Sequence, residues 1–158
     1  MFTFREITQA DDAAVARLVR SNLEQVGLDI HGTAYFDAAL DHLSTVYGRA
    51  DSKYYVMLNE KGTVVGGIGF ARFTPFTDTA ELQKLYLADE EKGAGLGYQM
   101  ISFIEARMRE AGYLFSYLET HDALKAALHI YRKIGYQEIE RPKEVAHSTM
   151  TRFFIKKL

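Results

Sequence analysis

The sequence predicts an α+β fold, a mixed sheet with flanking helices in a single domain over residues 1–158. Three observations carry that prediction. The chain has 158 residues, 47% of them hydrophobic, which suits one domain with a full core. Its apolar pattern reads in the order β α α β β β α β α β β, with neither repeat nor linker and only two prolines, Pro75 and Pro142. The central strands form an antiparallel meander leading into a βαβ unit, whose right-handed crossover places the fourth and fifth strands parallel.

Residues 2–8 read as a short strand, with Phe2 and Phe4 on one face and Thr3 and Arg5 on the other. Asp11 or Asp12 can cap the helix that follows, whose apolar face is Val15, Leu18, Val19, Leu23 and Val26, and Gly27 can close it. A second helix is predicted over residues 34–46, with Phe36, Leu40 and Leu43 aligned. Residues 54–58 and 64–73 are strands joined by Asn59-Glu60-Lys61-Gly62, a hairpin turn with glycine where positive φ is needed. Gly66, Gly67 and Gly69 thin the second of them. Close approach of another backbone or a ligand would explain these glycines, and so would a twisted or bulged strand. The fourth strand is 80–87, and 96–111 is helical with Leu96, Met100, Ile101, Ile104 and Met108 on one face. Gly112 can end that helix. A strand at 114–118, a helix at 123–134 and strands at 136–139 and 150–155 complete the chain.

Composition excludes several functions. Lys plus Arg number 19 and Asp plus Glu 21, a formal charge of −2, which gives no electrostatic footprint for nucleic acid or an anionic membrane surface. No apolar stretch approaches the roughly 18 residues of a membrane span. Cysteine is absent, so there is no disulfide framework, thiolate nucleophile or cysteine-held metal. The opening Met1-Phe2-Thr3-Phe4-Arg5-Glu6 lacks the basic start and apolar run of a signal peptide, so the expected location is the cytoplasm. His31, His42, His121, His129 and His147 share no metal-ligand spacing such as His-x-x-x-His, and no metal is expected.

The most informative segment is Lys92-Gly93-Ala94-Gly95-Leu96-Gly97, between a strand and a helix. Glycines there let the backbone turn tightly and aim several N–H groups at one point, while the helix dipole and a basic residue add positive charge. Together these suit a phosphate or diphosphate. A plain loop with a helix cap would use the same residues. The ATP-binding loop is excluded, since it needs Gly-x-x-x-x-Gly-Lys followed by Ser or Thr. A dinucleotide site is the competing reading, with Glu119 at the end of the next strand to meet a ribose. Against it, residues 88–92 separate the strand from the first glycine, and only one βαβ unit is present.

At this point the chain resembles the GNAT superfamily of N-acetyltransferases. Lys92, Gly95 and Gly97 occupy the places of its signature Arg or Gln, Gly, and Gly or Ala. Glu81-Leu82-Gln83-Lys84-Leu85-Tyr86-Leu87 looks like its fourth strand, and Ala127 through Tyr131 to Gly135-Tyr136 is similar to its second signature. The ending from His147 to Leu158 resembles a bacterial small-molecule subgroup. The resemblance implies a bulged fourth strand, a splayed parallel strand pair and acetyl-CoA in the wedge between them. Leu85, Tyr86 and Leu87 would pair with the pantetheine arm. Gly93, Ala94, Gly95, Leu96, Gly97 and Tyr98, beside Lys92, would hold the diphosphate. Dimers are common in that family.

The resemblance also implies catalytic roles. Tyr131 stands where the family places a tyrosine near the CoA sulfur, as general acid; a packing tyrosine on an amphipathic helix is the alternative. Glu81 lies where some members carry a carboxylate that acts as base through water, though a strand-edge glutamate is commonly just solvated. His121, His147 and His31 border the expected site, and His129 points elsewhere. The expected activity is acetyl transfer from acetyl-CoA to the primary amine of a small molecule or peptide. A CoA-binding module without turnover, or a nucleotide-binding regulator, are the competing functions.

Overall fold

The computed structural model describes residues 1–158. Seven strands form one sheet: β1 (Thr3–Glu6), β2 (Lys53–Leu58), β3 (Val64–Arg72), β4 (Thr79–Leu87), β5 (Phe115–Thr120), β6 (Gln137–Ile139) and β7 (Arg152–Lys157), in the spatial order β1-β2-β3-β4-β5-β7-β6. Only β4 and β5 pair in parallel, with α3 (Leu96–Glu110) in the connection between them. The predicted class and parallel pair are therefore found. The other helices are α1 (Asp12–Gln25), α2 (Leu43–Val46) and α4 (Lys125–Lys133).

Alternation along β2 sorts the core onto two faces. Tyr55 and Met57 join a cluster with Met100, Ile101, Ile104 and Met108 of α3 and Leu128 and Tyr131 of α4. Tyr54 and Val56 join Val15, Val19 and Leu23 of α1 and Leu43 of α2 on the other face. Phe2 and Phe4 share a face as expected, the α3 side, and Phe4 stacks on Phe103 at 4.2 Å. Gly27 and Gly112 end their helices as predicted. At φ +72 and +93 they let the next residue donate back into the last turn, Leu28 N to Leu23 O at 2.9 Å and Tyr113 N to Met108 O at 3.1 Å.

Two expectations are corrected. Residues 34–46 do not form one helix. Thr33 accepts the Tyr35 N–H and Asp37 accepts the Ala39 N–H, so two separate single turns form, Ala34–Phe36 and Ala38–His42, before α2. These side chains satisfy amides that a continuous helix would satisfy with carbonyls. Phe36 is consequently 52% exposed, not aligned with Leu40 and Leu43. Nor does Asp11 or Asp12 cap α1 with its side chain. Asp11 takes a two-pronged bond from Arg5, at 2.7 and 3.0 Å, and Asp12 accepts from Ser44 N and Oγ, pinning α2 to α1.

The β4–β5 ladder is short. It pairs Thr79 with Phe115, Ala80 with Ser116 and Glu81 with Tyr117, and then stops, although both strands continue. The strands diverge beyond Glu81. On its other side β4 is bulged: Gln83 faces Gly69 and Tyr86 faces Gly67, so β4 carries one extra residue, and Lys84 there has φ +50.

Candidate active site

The bulge decides which side chains meet. Plain alternation puts Glu81, Gln83 and Leu85 on one face. The extra residue changes the phase, so Leu85 and Leu87 turn to the α3 face while Tyr86 joins the α1 face. Glu81, Gln83, Lys84 and Tyr86 line a cleft of about 300 Å³ on that face, together with Glu119 of β5. Two loops roof it. The Thr149 hydroxyl of the segment before β7 donates to the Gly32 carbonyl of the segment after α1, at 2.7 Å. An added Cβ at Gly32 would lie 2.4 Å from the Thr149 methyl, so glycine is what lets the two loops close.

Glu81 sits at the last rung of the parallel ladder, where the wedge opens. Gln83 Nε2 donates to its Oε1 at 2.9 Å, and the Tyr47 hydroxyl donates to Gln83 Oε1. Burial pushes the Glu81 carboxyl up to about 7. The Gln83 bond opposes that rise, the negative charge of Glu119 adds to it, and Lys84 opposes it. Glu119 accepts from the Tyr117 hydroxyl at 3.0 Å and from Ser148 Oγ at 2.7 Å. The Lys84 ammonium faces the same cleft and is pushed down by burial, against the charges of Asp37 and Glu81.

Across the sheet, Tyr131 of α4 is 6% exposed. Its backbone is fixed by the turn that Gly135 permits at φ +98, where Tyr136 N donates to Tyr131 O at 3.0 Å. Its ring meets that of Tyr136 edge-on, with centroids 5.8 Å apart. Burial, and then the proximity of Tyr86, raises the Tyr131 hydroxyl well above the usual phenol range, so it stays protonated at neutral pH. The fully enclosed polar atoms without a partner are Arg107 Nε and Thr120 Oγ1. The Tyr131 hydroxyl is not among them.

The glycine loop takes the shape expected of an anion cradle. Gly93 and Gly95 have φ +85 and +77, and no atom lies within 4 Å of where a Cβ would sit, so the backbone is open to a ligand on the approach to α3. Leu96 is buried in the core and can offer only its amide, while Gly97 lies under Ile130 and Tyr98 under the Lys133 ammonium. Ala94 is exposed. Lys92 is not aimed into the loop: its ammonium bonds Asp89 at 2.7 Å and Gln25 at 3.3 Å. The wedge and the cradle together fit an extended thioester carrying a diphosphate.

The histidines divide. His147 lines the Glu81 cleft, and His31 stacks on Phe36 at 4.2 Å beside an adjoining opening that Lys84 also lines. His121 accepts the Ala123 N–H through Nδ1 and serves the turn before α4. No group of acidic or imidazole side chains is placed to hold a metal ion, and no helix is long and apolar enough to cross a membrane.

The model of the acetyltransferase (GNAT) family matches residues 19–136. The chain belongs to the GNAT acetyltransferase family. It is 36% identical over 138 residues to the uncharacterised N-acetyltransferase YjgM of Escherichia coli K12, covering 86% of this chain and 82% of that one. Solved structures agree in fold. A GNAT acetyltransferase from Staphylococcus aureus Mu50 superposes with a TM-score of 0.87 at 17% identity, over 100% of this chain and 99% of that one. The PaiA N-acetyltransferase of Thermoplasma acidophilum, solved with coenzyme A, gives 0.79 at 18% identity over the same shares. This acetyltransferase is thus an acetyl-CoA-dependent enzyme, and its splayed β4–β5 pair is the family's wedge. The acetyltransferase's cleft also brings in residues that sequence reading left unassigned or assigned elsewhere: Lys84, Tyr47, Gln83 and Glu119. No local motif signals them, because the bulge and the short ladder place them.

Proposed function

We propose that this acetyltransferase moves the acetyl group of acetyl-CoA to the primary amine of a small molecule held in the cleft between Glu81 and Glu119. One observation carries the reading: the parallel ladder ends at Glu81, so the donor wedge opens beside a half-buried carboxylate, pushed up to about 7, which suits proton transfer at neutral pH. The roof closed by Thr149 and Gly32, over about 300 Å³, favours a small acceptor over a folded protein surface.

Acetyl-CoA supplies a thioester already activated for attack. The chain has to bind it, deprotonate the amine and protonate the leaving sulfur. Ala88 N donates to Val65 O on β3, so alternation turns the N–H groups of Leu87 and Leu85 toward the wedge, where they can pair with the pantetheine arm and meet the thioester carbonyl, while the Leu87 carbonyl accepts from Asn22 Nδ2 at 3.1 Å. Tyr86 closes the wall between them. The amides from Gly93 to Tyr98 hold the diphosphate, and Lys92 contributes charge at a distance. Glu81 accepts a proton from the ammonium, directly or through a water. The amine nitrogen then adds to the thioester carbonyl carbon, and as the carbon–sulfur bond breaks the Tyr131 hydroxyl gives its proton to the departing sulfur, while the second proton of the nitrogen is released and restores the phenol. Dependence on acetyl-CoA supports a cytoplasmic location for the enzyme.

Thermal unfolding with acetyl-CoA, CoA, NAD and ATP, each added separately, tests the donor assignment. A ligand at about a hundred times its dissociation constant stabilises by about 2.7 kcal/mol, roughly 5–10 °C for a domain of this size. A shift with acetyl-CoA and CoA alone is expected. A shift with NAD or ATP instead would overturn the reading of residues 92–98 and restore the nucleotide-binding alternative.

A further inference from the structure

The small-acceptor reading leaves Lys84 unused. Its position is unusual in three respects. It is a lysine in the left-handed backbone region, φ +50, where a side chain is strained unless the surroundings impose it. The surroundings do impose it: Tyr54 donates to the Lys84 carbonyl at 2.8 Å and locks the bulge. And its ammonium, on a half-buried side chain, makes no ion pair. It faces the Tyr47 ring at 6.0 Å, while the Asp37 carboxylate is engaged with the Ala39 N–H and the Glu81 carboxylate with Gln83. A half-buried cation that lines a cleft and has no contacting anion is placed to meet one that arrives with a ligand.

The cleft is therefore divided in charge. Glu81 and Glu119 offer two carboxylates and Lys84 an ammonium around the same cleft of about 300 Å³. That arrangement matches a molecule bearing an ammonium and a carboxylate a few bonds apart. The opening that Lys84 shares with His31 and Phe36 provides an aromatic wall, 52% exposed at Phe36, against which an apolar side chain can rest.

Resting on the small-acceptor reading, we infer that the acceptor is a free amino acid with an apolar side chain, its carboxylate held by Lys84 and its amine presented to Glu81. In the balanced reaction the α-ammonium loses two protons, one to Glu81 before attack and one that replaces the proton Tyr131 gives to the sulfur; the nitrogen gains the acetyl group, CoA leaves as the thiol, and the carboxylate is unchanged. Lys84 does not touch the reacting atoms; it selects and positions.

The test is thiol release from acetyl-CoA with matched acceptors: phenylalanine, leucine and methionine, each against its decarboxylated amine and its carboxamide, with rates normalised to free amine. The wild-type enzyme is expected to prefer the amino acids by at least tenfold in kcat/KM. Lys84→Met is expected to collapse that ratio toward one, and Lys84→Arg to keep most of it. Equal or better turnover of the neutral-tailed amines by the wild type overturns the inference while leaving the transferase reading intact. So does a Lys84→Met enzyme that keeps the preference. No release above background with any of these acceptors overturns it as well, and the acetyl-CoA thermal shift then shows whether the donor site survives independently. Should Lys84→Met fail to fold, the wild-type ratios still decide.

Discussion

Tyr54 on β2 donates its hydroxyl to the carbonyl of Lys84 on β4, at 2.8 Å, reaching across the whole of β3. The crossing explains two glycines. A Cβ at Gly67 would lie 2.4 Å from the Tyr54 oxygen, and one at Gly69 would lie 2.6 Å from its ring. The strand is thinned for a buried tyrosine, not for a ligand, and that tyrosine holds the bulge that sorts the cleft from the core.

Tyr54→Phe leaves the Lys84 carbonyl without its partner in a buried setting, a loss of about 1–3 kcal/mol. Urea unfolding should show that drop with an unchanged slope. Because the bulge loosens, KM for the acceptor should rise more than the dissociation constant for CoA, which isothermal titration reports separately. Equal effects on both would mean that the bond serves the fold alone.

Glu81 gives a pH dependence with a defined sign. Its carboxyl is raised from the ordinary 4.5 to about 7, so the folded state binds the proton more tightly than the unfolded one. Its contribution to stability is therefore fully present below pH 4.5, declines as pH rises toward about 7 and is flat above. Glu81→Gln should be more stable than wild type at pH 8, by about 1–3 kcal/mol, and equal to it near pH 4.5. Activity should move the opposite way. The wild-type kcat/KM should rise through a step near pH 7, and the variant should lack that step and run about 10²-fold slower. A step that persists in Glu81→Gln assigns it to the amine instead.

Gly95 has φ +77 with open space where a side chain would go, so Gly95→Ala introduces backbone strain without a clash. We expect a loss of about 1 kcal/mol in stability. CoA affinity should fall about tenfold, because the amides before α3 lose their aim. Dephospho- and pantetheine-only analogues separate the two effects: an analogue lacking the diphosphate should bind the variant and the wild type alike.

The legible part of this protein was local. The glycine loop, the fourth strand and the Tyr131-to-Tyr136 segment each carry their signal in consecutive residues, and the element order follows from apolar periodicity. What escaped was set at a distance. Nothing near Lys84 announces a left-handed lysine, because Tyr54, thirty residues earlier, imposes it. Glu119 reads as a strand-end acid until the ladder stops at Glu81 and leaves both carboxylates on one cleft. The helix expected over 34–46 failed because Thr33 and Asp37 compete for its amides, a choice that hydrophobic spacing does not record.

Tyr131→Phe keeps the ring contact with Tyr136 and removes only the hydroxyl. If that hydroxyl protonates the leaving sulfur, kcat should fall 10²-fold or more while the acetyl-CoA thermal shift is preserved. An acyl donor with a better leaving thiol, such as a thiophenyl ester analogue, should recover much of the loss. A kcat within threefold of wild type returns Tyr131 to the role of a packing residue.

The most direct measurement is parallel quantification of free thiol and N-acetyl product by mass spectrometry, with acetyl-CoA and a panel of small primary amines. Equal amounts of thiol and N-acetylated amine are expected for at least one of them, with both slowed together in Glu81→Gln. Thiol release no faster than in the absence of amine, by a protein that still binds CoA, would contradict the transferase reading and leave a CoA-binding module in its place.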